Sequence, residues 1–399
     1  MNRENLTEMQ LDEHGRSKYA IYLPALSSFY TSTISNFVDP KRIPNNFENG
    51  VEGLNWFLPE SAYFSYKWTL YSAGHAKLDL TKEAIGENMV RNRDRRSSFL
   101  LMDSGGYQIA TGKWPGDWKA NSGCPKAMEK RDQVLTWIDN MGDYGMILDI
   151  PTWVTDNPKA SAACQITTYQ EAVDATKFNN EYFIKHRKGV KNGGAKLLNV
   201  LQGVTHSEAE KWYQTMKQYN DPNKFPDTHF DGWSFGGQNA SSPTLMLKRI
   251  VTMIHDGLLE EGKHDWVHML GVSRIEWGLL CTDVQNAVRK YHNKNFTISF
   301  DSASPFLATA NGQIYTVNEY SDKTRWTFRM DPGPDNKKYS TDSRLYKDAV
   351  LQDQFFTQFE NSPIIDRCKI SDVCYYQPGM LNKLGKEGRT SWDTFSYAI

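Results

Sequence analysis

The sequence predicts an α/β fold, a (β/α)8 barrel of the TIM type with insertions and with additions at both ends. Short apolar runs that close on a carboxylate, an amide or a glycine recur along the chain, and helical patterns separate them. Strands that alternate with helices over roughly 200 residues imply parallel strands joined by crossovers. Because at least six such units can be counted, a closed barrel fits better than an open sheet.

The segment 97–108, SSFLLMDSGGYQ, shows the pattern most clearly. Its apolar run has no helical period and is followed directly by turn residues, which is typical of a strand covered on both faces. Asp103 closes the run, and Gly105 and Gly106 allow a sharp turn or the close approach of a ligand. Folds of this class place their chemistry at such strand ends, although an Asp here also serves as a simple turn cap.

Five further segments read as strands of the same kind: 145–149, 196–203, 232–237, 267–271 and 296–301. Helices are predicted over 126–140, 171–186 and 207–219, and over a stretch that opens with the cap residues Ser242 and Pro243 and stops at Gly257. A further short strand is expected at 312–317, and helical material at 343–359.

The chain is expected to be a single domain over 1–399, with the barrel core at about 97–317 and a C-terminal addition at about 318–399. Residues 1–96 are irregular by pattern, apart from a strand candidate at 19–23 and an aromatic-rich stretch at 56–71 that no template fits. Neither an internal repeat nor a low-complexity tract is visible.

Composition narrows the class of protein. Lys and Arg number 46 against 47 Asp and Glu, so the net charge of −1 does not by itself indicate a nucleic-acid partner. Two basic runs could hold phosphates or could be ordinary solvated faces: Arg91, Arg93, Arg95 and Arg96, and the segment 185–196 with Lys188. Five scattered cysteines favour a reducing compartment, and no apolar stretch reaches membrane-spanning length, so we expect a cytoplasmic protein without a membrane role.

The predicted strand ends supply a set of polar groups that one barrel rim would bring together. The set comprises Asp103, Asp149, Gln202, Gly236, Gly237 and Asp301. Carboxylates that share a pocket suggest a nucleophile, an acid/base and a hydrogen-bond acceptor. Each residue alone is explained as a capping residue, but that explanation has to be repeated at five strand ends.

These residues resemble the signature of the tRNA-guanine transglycosylases. The sequence Asp-Ser-Gly-Gly-Tyr-Gln at 103–108 is the most specific match, and the resemblance continues in order through Asp149, 201–203, 235–237, 270–272, 300–301 and 311–313. It covers roughly residues 97–317. Members of this family are modified (β/α)8 barrels, and they exchange a guanine base in a polynucleotide for a 7-deazaguanine.

The resemblance implies a role for each matched residue. Asp301 would be the nucleophile that captures the sugar carbon in a covalent intermediate, and Asp103 the general acid/base. Asp149 would accept the N1 and N2 protons of the base, Gln202 and the amides of Gly236 and Gly237 would donate to its O6, and Tyr107 would stack on its face. Ser104 and Leu270 complete the implied base pocket. No redox cofactor or nucleoside triphosphate is implied.

Two departures from the family shift the expected substrate. Pro305 stands after the nucleophile without the Thr-Arg that follows it in the tRNA enzymes, and only Cys368 and Cys374 remain where those enzymes bind a structural zinc. We therefore expect a protein without metal, similar to the bacterial and phage relatives that insert 7-deazaguanines such as 7-cyano-7-deazaguanine into DNA. A phage protein would act in the host cytoplasm.

Three other interpretations remain open at this stage. The chain could be a tRNA-guanine transglycosylase with an altered C-terminal region. It could be a barrel glycoside hydrolase that uses Asp103 and Asp301, in which case Gln202 and the glycines would have no guanine to bind. It could also be a non-catalytic binding subunit, against which the presence of both aspartates speaks.

Overall fold

A computed structural model describes residues 16–35, 40, 43–58, 60–311, 313–319, 321–322, 327–332, 336–349 and 363–374. Its centre is a closed barrel of eight parallel strands in sequential order, which confirms the predicted (β/α)8 architecture. The strands are β1 (Ile21–Leu26), β2 (Trp68–Ser72), β3 (Phe99–Asp103), β4 (Tyr144–Met146), β5 (Lys196–Leu201), β6 (Gly232–Phe235), β7 (Trp266–Met269) and β8 (Thr297–Ser302).

Helices connect each strand to the next. In chain order they are α1 (Ser28–Ile34), α2 (Asn88–Arg91), α3 (Gly106–Ala110), α4 (Pro125–Met141), α5 (Pro158–Cys164), α6 (Tyr169–His186), α7 (His206–Met216), α8 (Gly237–Ser241), α9 (Pro243–His255) and α10 (Ile275–Tyr291). After the barrel come α11 (Ser304–Ala310), α12 (Tyr346–Ala349), α13 (Ile370–Val373) and an antiparallel pair, β9 (Gln313–Glu319) and β10 (Thr327–Pro332).

Short 3-10 turns occupy parts of the connections. They lie at Gly50–Leu54, Ile85–Glu87, Thr152–Asp156, Val190–Asn192, Lys217–Asn220, Lys337–Tyr339 and Ile365–Arg367. The described part of the chain contains no helix with both the length and the apolar character needed to cross a membrane.

The barrel begins earlier than the predicted core. Strands β1 and β2 both precede residue 97, and β9 belongs to a separate two-stranded sheet although it falls inside the predicted 97–317 boundary. The strand candidate predicted at 19–23 overlaps β1, whereas β2 mixes Thr69 and Ser72 with aromatic residues and lacks the largely apolar run that identifies the later strands.

The chain divides into two compact units. The first consists of Met1–Ala25, Trp68–Lys82 and Phe99–Ser302 and contains the barrel, and the second consists of Leu26–Lys67, Glu83–Ser98 and Ala303–Ile399. The second unit therefore draws on the long excursions that follow β1 and β2 as well as on the predicted C-terminal addition. Whether 1–399 acts as one domain stays a prediction, and Gly312 and most of the predicted helix 343–359 lie outside the described residues.

Aromatic residues fill the amino-terminal end of the barrel. Phe99, Tyr144 and Trp266, the first residues of β3, β4 and β7, pack together, with ring centroids 4.7 Å apart for Phe99 and Trp266 and 4.9 Å for Tyr144 and Trp266. The helix layer buries further tryptophans: the indole N–H of Trp212 donates to the Val200 carbonyl, and that of Trp233 to the Leu258 carbonyl. This packing closes the amino end of the barrel, so we expect the polar site residues at the carboxyl end.

Candidate active site

Asp103 ends β3 at the carboxyl edge of the barrel, beside the end of β2. Ser72 and Asp103 are register partners, and the Ser72 hydroxyl donates to Asp103 Oδ2 at 2.6 Å. The Gly105 amide donates to Oδ1 at 3.3 Å. Burial raises the pKa of Asp103, the two hydrogen bonds oppose that rise, and the charge of Asp301 adds to it. Asp103 is therefore a carboxyl that holds its proton more firmly than an exposed one.

Asp301 lies in β8 opposite Leu23 of β1, at the same edge of the barrel. Its Oδ1 atom accepts two hydrogen bonds, one from the Gly271 amide at 2.8 Å and one at 3.2 Å from His268 Nε2. No described residue donates to Oδ2, and the side chain is 13% exposed. One oxygen is thus fixed by the protein, while the other is free to meet a ligand.

Asp149 follows β4 and is buried beside Gln202, which follows β5. Gln202 Nε2 donates to Asp149 Oδ2 at 2.8 Å. Burial raises the pKa of Asp149 to about 7, with a further rise from the charge of Asp103 and an opposing effect of the Gln202 hydrogen bond. Near neutral pH this carboxyl therefore exchanges between a proton donor and a two-oxygen acceptor.

The structure brings Asp103, Asp149 and Asp301 together at the carboxyl end of the barrel, which we call the carboxylate mouth. Asp301 acts electrostatically on Asp103, and Asp103 in turn acts on Asp149. The negative charge of the neighbouring carboxylate therefore favours the protonated form of Asp103 and of Asp149.

Glycines let the backbone close around this mouth. A Cβ atom on Gly106 would lie 2.8 Å from the Asp149 carbonyl oxygen and 2.9 Å from its Oδ1. Gly237 has φ +53°, and a Cβ there would lie 2.4 Å from the Gly203 carbonyl oxygen. The Gly236 N–H donates to the Leu201 carbonyl at 2.8 Å, and the predicted donation of this amide to a base stays a prediction.

The remaining base-pocket candidates lie nearby in different settings. The Ser104 hydroxyl is buried and donates to the Ile147 carbonyl at 2.9 Å, so it joins neighbouring barrel segments. Tyr107 is 59% exposed, with its ring 6.3 Å from that of Trp153, and is placed to present a flat face rather than to fill the core. Leu270 is half-buried, and its amide donates to the Phe235 carbonyl. Their roles in base binding stay predictions.

The arginines before β3 belong to the second unit, where several already have partners. Arg91 pairs with Glu87 at 3.0 Å, and Arg96 pairs with Asp94 at 3.1 Å. Arg93 is buried and donates to the Ser98 carbonyl and hydroxyl, so it already has protein partners, and its phosphate contact stays a prediction. Arg95 and Arg96 are exposed.

Lys188 lies at the opposite end of the barrel from the carboxylates. It stands between the end of α6 and the start of β5, and a helix-to-strand loop reaches the amino end of its strand. Its amide donates to Asp139, while neighbouring Arg187 forms a buried pair with Asp231 at 3.0 Å. Lys188 therefore lies away from the three aspartates, and its predicted contact with nucleic acid stays a prediction.

Two residues of the mouth are missing from the sequence-based prediction. His268 is fully buried within β7 and reaches Asp301, and Ser72 at the end of β2 reaches Asp103. A histidine inside an otherwise apolar strand is a usable signal for the first. Ser72 carries no signal, because β2 itself is not recognisable from its pattern.

Cys368 and Cys374 do not form part of a recognisable metal site. Both are buried, neither is in a disulfide, and among the described residues no group of three or more His, Cys, Asp or Glu side chains is arranged to hold a metal ion. That the protein works without metal stays a prediction.

Comparisons with known proteins leave the family open. No protein-family model matches the chain, and no curated protein matches it significantly. The assignment of function therefore depends on the fold and on the geometry of the carboxylate mouth.

Proposed function

We propose that this protein is a pentosyltransferase that replaces guanine in DNA with a 7-deazaguanine, such as 7-cyano-7-deazaguanine, through a covalent bond between Asp301 and the sugar. The observation that carries the proposal is a pair of carboxyls at one barrel mouth in opposite settings. Asp103 is buried with a raised pKa, whereas Asp301 accepts two hydrogen bonds on one oxygen, and no described residue donates to the other. A carboxyl that keeps its proton and a carboxylate with one unoccupied oxygen are suited to the separate roles of acid and nucleophile.

In the proposed first step, Asp301 Oδ2 bonds to the sugar C1′ while the C1′–N9 bond breaks. The electron pair leaves with the guanine, which takes a proton from Asp103. In the second step N9 of the incoming base attacks C1′ and passes its proton to Asp103, and Asp301 leaves as a carboxylate. Neither step uses a redox cofactor.

The proposal assigns base reading to Asp149 and Gln202. An ionised Asp149 can accept both the N1 and the N2 protons of a guanine-like ring. The Gln202 amide has two N–H groups, of which one goes to Asp149, and the other is suited to the O6 atom. A Cβ at Gly236 would lie 3.0 Å from Gln202 Nε2, so glycine there leaves this amide its room.

DNA is proposed as the polynucleotide because of two departures from the tRNA enzymes, the missing Thr-Arg and the missing zinc ligands. Both fall in regions that, in those relatives, serve the tRNA rather than the base. A duplex target would need its guanine flipped out of the stack, at a cost of a few kcal/mol. The exposed Tyr107 ring is available to stack on a base that has left its neighbours.

Parallel incubations with labelled guanine and either DNA or tRNA test the proposal. We expect label in DNA from the full-length protein, and none from Asp301→Asn. Label that enters tRNA alone would contradict the DNA assignment. Release of unlabelled guanine without any uptake of label would instead indicate a hydrolase.

A further inference from the structure

A chain of hydrogen-bonded side chains leads along one face of β7 and β8 to Asp301. His268 is fully buried, with Nδ1 2.8 Å from Ser299 Oγ and Nε2 3.2 Å from Asp301 Oδ1. Ser299 Oγ in turn accepts from the Trp266 indole N–H at 2.8 Å. His268 and Ser299 are register partners, and alternate residues of a strand share one face, so the four side chains lie along the same side of β7 and β8.

The chemistry of these groups gives the line a fixed direction. An indole N–H can only donate, so Trp266 occupies a lone pair of Ser299 and leaves the hydroxyl proton for another partner. A neutral imidazole has one donor and one acceptor nitrogen. Because Nε2 faces a carboxylate, it carries the hydrogen, and Nδ1 accepts from Ser299. One tautomer of His268 is thereby selected.

Both donors that reach Asp301 arrive at the same oxygen. His268 Nε2–H and the Gly271 N–H converge on Oδ1, and within the described residues nothing donates to Oδ2. The carboxylate is therefore held by one atom, and its orientation decides where the other atom points. Removal of His268 would leave the Gly271 amide as the single described donor.

We propose that His268 is a positioning residue for base exchange, which aims Asp301 Oδ2 at the sugar and assists the breakdown of the covalent intermediate. This inference rests on the proposed function. Once Oδ2 is bonded to C1′, Oδ1 is the carbonyl oxygen of an ester. When the incoming base takes C1′, the electron pair of the C1′–Oδ2 bond returns to the carboxylate, and the charge spreads to Oδ1, where two donors are already in place.

The same donors act unequally on the two steps. They stabilise the free carboxylate, which makes it a weaker nucleophile in the first step and a better leaving group in the second. Loss of the His268 donor therefore slows breakdown of the ester more than its formation. An enzyme without this donor accumulates covalent adduct during turnover, a consequence that misfolding or loose packing would not produce.

His268→Phe and His268→Gln in the full-length chain separate the donor from the ring. Phe keeps a flat ring in the buried site without any N–H, whereas the Gln amide can place an N–H near the position of Nε2. Exchange of labelled guanine into DNA is measured together with the fraction of protein that stays attached to DNA after denaturation. We expect His268→Phe to lower exchange about 10- to 100-fold and to raise the attached fraction, and His268→Gln to restore much of the rate.

His264→Phe is the matched control. His264 is also fully buried, but its Nε2 contacts the Asn220 carbonyl at 2.7 Å, away from the carboxylates. We expect this variant to keep the wild-type attached fraction. If His268→Phe does not fold, Ser299→Ala tests the same line, because it removes the hydroxyl that orients Nδ1 and leaves the donor itself in place; a raised attached fraction is again expected.

Two results would overturn the inference. One is wild-type exchange in His268→Phe, and the other is a fall in exchange with an equal fall in attached protein, which would mark a purely structural residue. Failure of the proposed function looks different, because the wild-type protein would then place no label in DNA.

Discussion

Asp149 is buried, but its proposed role requires the ionised carboxylate. Burial raises its pKa to about 7, while the proposed contact with the N1 and N2 protons of guanine needs the ionised form. A folded-state pKa above the ordinary value favours the fold at low pH, and this contribution is lost as the pH rises through the folded pKa. Asp149 therefore lowers the stability of the fold at the pH at which it can make the proposed contact.

Asp149→Asn is expected to remove that cost. The Asn side chain keeps an oxygen for the Gln202 donor, so the local hydrogen bond survives. The free energy of unfolding of the variant should exceed that of the wild type by an amount that grows from about pH 4 to about pH 7, by up to about 1.4 kcal/mol per pH unit, and stays level above. Denaturant titrations across this range measure it. A difference that is constant with pH would contradict the titration of Asp149 as its cause, and base uptake should be lost in either case.

Ser72 is expected to set the pH range in which Asp103 acts as an acid. Its hydroxyl lowers the pKa of Asp103 against the effect of burial. In Ser72→Ala that pKa rises further, so the fall in kcat/KM for DNA with increasing pH should move to higher pH. Thr69→Val is the matched control, because Thr69 is buried on the same strand and its hydroxyl donates to the Pro24 carbonyl rather than to a carboxylate. An unshifted profile in Ser72→Ala would show that Asp103 is not the group that titrates.

The turn from β3 into α3 connects the proposed base site to the fold. Gly106 opens α3 and touches Asp149, so Gly106→Ala forces a methyl group against the carbonyl and carboxyl oxygens of that residue. We expect a loss of about 1–3 kcal/mol in the free energy of unfolding and a higher KM for guanine. Gly116→Ala is the control, since its Cβ would make ordinary contacts of 3.5 Å with Cys124 and 3.8 Å with Trp118. Equal effects of the two variants on guanine KM would contradict this coupling.

Strand-forming segments are predictable where the residues themselves indicate burial. The largely apolar runs of β3, β5, β7 and β8 identify those strands, and the residues at their ends locate Asp103, Gln202 and Asp301. β2 escapes detection because its fully buried side chains include Thr69 and Ser72, whose burial is satisfied by hydrogen bonds to Pro24 and Asp103. Such partners are distant in sequence, so no local pattern reveals them.

The two ends of the barrel differ in the side chains that they carry. Aromatic packing of Phe99, Tyr144 and Trp266 closes the amino end, and the carboxylates occupy the other. The predicted nucleic-acid contact of Lys188 rests on charge alone, although its place before a strand already indicates the closed end. His268 escapes prediction because a buried histidine in a strand also suits a purely structural role.

We expect DNA to bind at the carboxyl end of the barrel. Lys113 is exposed just beyond α3, and its charge, together with burial, lowers the pKa of His75, while Asp103 raises it. Lys113→Ala is therefore expected to weaken DNA binding. It should also reduce the slope of log binding constant against log salt concentration by about one. Lys188→Ala is expected to leave both unchanged. Binding titrations at several salt concentrations measure the effects, and the reverse result would place the nucleic acid at the other end.

The covalent role of Asp301 is tested most directly by denaturing electrophoresis of the full-length protein after incubation with labelled DNA and a 7-deazaguanine. We expect labelled DNA to stay attached to the wild-type protein, with mass spectrometry locating the bond at Asp301, and no attachment in Asp301→Asn. Attachment that persists in Asp301→Asn, or base exchange that continues without it, would contradict a nucleophilic carboxylate at this position.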